Sequence, residues 1–199
     1  MKPAVGGSNR GAVDAALAKA VALARSGRPR AAIELLERDR AASRHPAGCN
    51  ALGMLLSQSG SAGPALGWFD KAVALAPSFA DAHNNRGVAL QQLGRLPEAL
   101  AAFQRTLELA PGHLNALMNS GNVLQLLGRD AEALQVFDRI LAAKPDLAEA
   151  AMKRAYVHMA RKEHTDSLQD FETVLRLQPG HSGAAFGRVS ALISLRRFE

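Results

Sequence analysis

The chain has 199 residues, a formal net charge of +6, and is 48% hydrophobic but only 5% aromatic. Alanine supplies 39 residues, and an Ala- and Leu-rich core suits close-packed helices rather than sheet, which favours β-branched and aromatic residues. No apolar run reaches the roughly 18 residues of a membrane span, and a lone cysteine, Cys49, excludes an internal disulfide framework.

That single thiol fits a reducing compartment, so an all-α, cytoplasmic protein is expected. The pI is near 10.1, but the arginines spread along the whole chain instead of forming a stripe. Nucleic acid is therefore not expected as a partner.

In chain order, residues 1–11 hold a lysine and several glycines with no apolar run of a secretory leader, and read as a flexible N-terminal segment. Residues 12–199 form an array. A weak helical unit at 13–46 shows Ala20, Gly27, Ala32 and Leu36, with Pro29 opening its second helix. It departs from the later pattern at Asp39 and Arg44 and joins the next unit one residue early. Four clear units follow at 46–79, 80–113, 114–147 and 148–181, and a truncated one at 182–199.

The period is 34 residues, set by Pro77, Pro111, Pro145 and Pro179. Phe69, Phe103, Phe137 and Phe171 make a second column, and Leu66, Leu100, Leu134 and Leu168 a third. Small residues recur as Ala65, Ala99, Ala133 and Ser167, and as Gly53, Gly87, Gly121 and Ala155. Gly60, Gly94 and Gly128 mark a turn that Lys162 occupies in the next unit. Apolar spacing such as Leu100, Phe103 and Leu107 predicts two helices per unit joined at that turn.

These columns resemble the tetratricopeptide repeat family: a small residue in the first helix, Gly at the turn, Ala and an aromatic in the second, and a closing Pro. The resemblance implies a right-handed superhelical solenoid of antiparallel helix pairs, a protein- or peptide-binding role, and no cofactor, metal or catalysis in this chain. It also implies a concave groove lined by positions two, five, six, nine, twelve and thirteen of each unit. Those positions hold Asn50, Met54, Ser57 and Gln58, then Asp81, Asn84, Asn85, Val88, Gln91 and Gln92. Further along they hold Asn115, Met118, Asn119, Asn122 and Gln125, then Glu149, Met152, Lys153, Tyr156 and Met159.

A carboxamide offers both a donor and an acceptor, as a peptide backbone does. Asn85 and Asn119, both at position six, resemble the asparagine ladder in the repeat domain of O-linked N-acetylglucosamine transferases. Ala51 and Lys153 end that ladder. The predicted groove set is therefore Asn50, Asn84, Asn85, Gln91, Gln92, Asn115, Asn119, Asn122 and Gln125, with Lys153 and Tyr156 as a side-chain-reading end. The basic residues of the family's carboxylate clamp are missing, which argues against grip on an acidic C-terminus.

Other constellations are weaker. Gly180-His181-Ser182-Gly183 approaches a nucleophile elbow, but residue 184 is Ala and no strand precedes it. The six histidines and Cys49 show no metal-ligand spacing. Two alternatives to a scaffold remain: the substrate-recruiting module of a longer glycosyltransferase, and a self-assembling structural array. The second draws on Phe186, Val189, Leu192 and Ile193, which the last helix presents with no following helix to cover them.

Overall fold

A computed structural model describes residues 6–196. All regular elements among them are helical, and the chain divides into two compact units, 1–111 and 112–199. Both are helix-pair stacks of the all-α solenoid class.

The first unit holds α1 (Gly6–Arg25), α2 (Pro29–Arg38), a 3-10 turn (Ala42–Arg44), α3 (Pro46–Gln58), α4 (Ala62–Leu75), α5 (Ala80–Gln92) and α6 (Leu96–Leu109). Helix α1 begins at Gly6, within the segment 1–11 expected to be flexible, and residues 1–5 lie outside the described residues. The second unit holds α7 (Leu114–Leu126), α8 (Asp130–Ala143), α9 (Ala148–Ala160), α10 (His164–Leu177) and α11 (Ser182–Arg196).

Each hairpin turn is closed by one left-handed residue. Gly27, Gly60, Gly94 and Gly128 have φ between 71° and 79°, and Lys162 takes the same place at φ 62°. At Gly94 the Arg95 N–H donates to the Leu90 carbonyl (2.9 Å) and the Gly94 N–H to that of Gln91 (3.0 Å), the double closure of a Schellman turn. Without a Cβ, glycine adopts this backbone freely; lysine does not.

Packing within each hairpin is set by the phenylalanine column, whose four rings are at most 1% exposed. A Cβ added at Gly87 would lie 2.5 Å from Phe103 Cε1, closer than two carbons can approach. Glycine there is what lets the first helix sit down on the ring. In the last full repeat the corresponding residue is Ala155, and Phe171 instead presses against Gly187 of the following helix.

Histidines start three of the first helices. His45, His113 and His181 each accept, through Nδ1, a backbone N–H at the start of α3, α7 or α11, at 3.1–3.3 Å. This supplies a partner to one of the donors that a helix N-terminus leaves unpaired. It also gives the Gly180-His181-Ser182 sequence a structural role as a helix cap.

The irregular join after α2 has a local cause. The Asp39 carboxylate accepts the Ala41 and Ala42 N–H groups, both at 2.9 Å, and folds the chain into the 3-10 turn. Ala42 is thereby fully buried, its carbonyl against Gly48.

Arginines tie successive hairpins together: Arg86 Nε donates to Asp70 (2.6 Å) in the first unit. In the second, Arg154 donates to Asp138 (2.6 Å) and doubly to Asp170 (2.6 and 2.9 Å). Asp170 is buried, so its charge is held by that two-pronged contact. The two carboxylates, Asp170 foremost, keep the Arg154 guanidinium pKa above its ordinary value.

Candidate functional site

In the first unit the first helix α3 contacts both α1 and α5 directly. Their side chains form one continuous face, as two adjoining hollows show. One, of about 160 Å³, is lined by Met54, Ser57, Gln58, Asn85 and Val88 above Phe69. The other, of about 230 Å³, is almost wholly apolar and is lined by Leu17, Val21, Ala24, Arg25, Leu36, Met54, Leu55 and Gln58, among others. Met54 and Gln58 belong to both.

The amides of this face are bonded to one another. Asn85 Nδ2 donates to Asn50 Oδ1 (3.0 Å), bridging α5 to α3, and Asn84 Nδ2 lies 3.4 Å from Asn85 Oδ1. Ser57 Oγ donates to Gln92 Oε1 (3.2 Å), a second bridge between the same helices. Asn50 and Asn84, at position five, are buried, whereas Asn85 and Gln91 are half-buried and Gln92 is exposed. Position five thus forms the floor of the face, and positions six, nine, twelve and thirteen its accessible steps.

The second unit repeats this order on α7 and α9, which also touch. Met118 and Met152 are the buried floor. Asn119, Asn122, Gln125 and Lys153 are half-buried, and Asn115 is exposed. The Asn122 side-chain oxygen is buried and accepts no hydrogen bond from the described residues. Tyr156 is 42% exposed and stands edge-on to Phe171, ring centroids 5.7 Å apart.

Beside this face is an ionic cluster that the sequence reading did not anticipate. His158 Nδ1 is 2.7 Å from Glu163 Oε2, and Arg161 Nε donates to Glu163 Oε1 at 2.7 Å. These contacts, that of His158 first, hold the Glu163 carboxyl below its usual pKa. His158, Glu163 and Asp166 bring possible ligand atoms within 4.8 Å, but both Glu163 oxygens are already engaged. The arrangement is an ion-pair network about the Lys162 turn.

Cys49 is fully buried, and its Sγ lies 3.4 Å from the Ser43 carbonyl. Burial pushes the thiol pKa up against the opposing pull of Lys71. The side chain is a packing residue beneath α4 and α5.

Leu17, Val21, Ala24 and Arg25 were not among the predicted groove residues. A signal existed: they occupy positions five, nine, twelve and thirteen of the weak unit at 13–46. The irregular Asp39 join, where that unit departs from the later pattern, is what obscured them.

Tetratricopeptide-repeat family models match residues 78–146 and 118–182, together just over half of the chain. The chain belongs to the tetratricopeptide-repeat family. Solved structures agree in fold. The repeat protein is similar to YrrB, described as a tetratricopeptide protein with an unusual peptide-binding site (19% identity, TM-score 0.75, covering 87% of this chain and 90% of that one). It is similar also to MamA (19%, TM-score 0.76, 80% and 94%) and to PilF of Pseudomonas aeruginosa (17%, TM-score 0.78, 96% and 93%). No curated protein sequence matches it significantly.

Repeats of this family are in general non-catalytic scaffolds that bind proteins or peptides. Among the described residues no helix is long and apolar enough to cross a membrane.

Proposed function

We propose that this repeat protein is a non-catalytic scaffold whose first-helix faces, one in each unit, each hold an extended peptide by its backbone. The observation that carries the reading is the Asn122 side-chain oxygen, a buried acceptor with no donor among the described residues. Leaving a buried acceptor unpaired costs about 1–3 kcal/mol, a cost that a peptide N–H would remove once rotation of the half-buried Asn122 carboxamide turns that oxygen outward. The bond between Asn85 and Asn50 adds to the case, because it fixes two carboxamides in place while leaving part of their capacity open.

The test is a peptide array probed with the wild-type chain, Asn85→Ala and Asn122→Leu. Asn122→Leu removes the unpaired acceptor, so its Tm should equal or exceed that of the wild type while peptide capture falls about tenfold. Asn85→Ala should also lose capture, with a stability loss of about 1 kcal/mol from the missing hydrogen bond. Unchanged capture by both variants would refute the reading.

A second reading, self-association through α11, is favoured by one specific observation. Phe186 is 76% exposed, and Val189 and Ile193 are each 51% exposed on the same helix. A contiguous apolar surface of this kind is one that proteins usually cover.

A further inference from the structure

We propose that the apolar hollow between α1 and α3 is a side-chain socket for an acidic peptide: it takes one leucine- or phenylalanine-sized residue, and Arg25 pairs with a carboxylate beside it. The inference rests on the peptide-binding reading above and adds the chemistry of the ligand.

Three observations point to this occupant. The first is apolar character together with exposure: at the mouth of a cavity of about 230 Å³, Val21 is 48% and Met54 42% exposed. Apolar groups so placed favour an apolar guest.

The second observation is charge. Arg25 is the one charged residue among those lining the hollow, and its guanidinium makes no ion pair with the described residues. It sits in the last turn of α1 with no acidic side chain in the lining. A guanidinium in that setting selects a carboxylate, which it can grip with two parallel N–H bonds, and disfavours a cation.

The third observation is continuity. Met54 and Gln58 form the wall shared with the amide-bearing hollow of Asn85 and Ser57. A chain whose side chain enters the socket is therefore one step from the amides that would hold its backbone. A compact apolar molecule would use the socket and ignore that step; an extended peptide uses both.

The experiment is fluorescence anisotropy on the full chain with labelled Gly-Ser host peptides. One probe carries Asp-Leu-Asp, a second replaces Leu by Ala, and a third replaces both Asp residues by Lys. The protein is wild type, Val21→Trp, Arg25→Glu or Asn85→Ala. Val21 and Arg25 are exposed, so both changes can be matched for helicity to the wild type.

The Asp-Leu-Asp probe should bind tightest. Loss of the leucine or filling of the socket by Val21→Trp should weaken it about tenfold or more, the scale of one buried aliphatic side chain. Arg25→Glu should reverse the order of the Asp and Lys probes. The socket is overturned if no probe binds the wild type, if Val21→Trp and Arg25→Glu leave affinity unchanged, or if the Lys probe binds as well as the Asp probe. Should Asn85→Ala alone weaken binding, the socket fails and the backbone-binding face survives.

Discussion

At the scale of single residues, one position departs from the rule that its counterparts obey. Lys162 has φ 62° where four glycines close the equivalent turns. The left-handed conformation costs a non-glycine residue about 1 kcal/mol. Lys162→Gly should therefore stabilise the chain by about 0.5–1 kcal/mol, the relief of strain exceeding the added freedom of the unfolded chain. For a chain of this size that is a rise in Tm of about 2 °C, readable by thermal melting followed by circular dichroism. A fall in Tm would mean that the lysine side chain contributes more than its backbone strain costs. The bonds of His158 and Arg161 to Glu163, on either side of Lys162, hold the turn in shape without a glycine.

Depth was harder to read than position. The repeat register placed Asn50 and Asn84 on the groove face, and they do lie beside Asn85. Register alone could not say that position five is floor and position six is step. That distinction comes from neighbouring first helices packing across each other, which no single helix records. Asp39 is a similar case: it departs from the repeat pattern, yet its carboxylate makes the turn that fits α2 to α3.

At the scale of helices, the turn glycines, the Phe column and the closing prolines made the hairpins legible, because each residue serves one local geometric need. The start of α1 was not legible. Gly6 and Gly7 lower intrinsic helix propensity, yet the helix begins there. Helix α11 carries the clearest consequence at this scale. Its Ala184, Gly187 and Ala191 are buried, while Phe186, Val189 and Ile193 lie open. Light scattering should show mass rising with protein concentration for the wild type and staying monomeric for Phe186→Glu. Identical, concentration-independent masses for both would count against self-association. Because Phe186 is largely solvated, the substitution leaves the Phe171 core in place.

At the scale of the whole molecule, the described chain is a succession of short-range hairpins, each unit stacking its own first helices into a polar-stepped face. Stability in such an array is close to a sum of hairpin terms and nearest-neighbour terms. Its faces can therefore change from one repeat to the next without altering the fold. That freedom explains why the repeat was written plainly in the sequence and its ligand was not. Packing columns recur every 34 residues; groove residues vary from Val21 and Arg25 to Asn85 and then to Lys153 and Tyr156. Amides recur at the groove positions of α3, α5 and α7 but not at those of α1 or α9.

The central claim is recognition of the backbone, and the most direct measurement compares a captured peptide with the same sequence N-methylated at alternate residues. N-methylation removes backbone donors while leaving every side chain in place. Titration calorimetry should show affinity falling at least tenfold for the methylated peptide, with a smaller difference between the two forms for Asn122→Leu. Equal affinity of the wild-type chain for the two peptides would contradict the account and place recognition in the side chains alone.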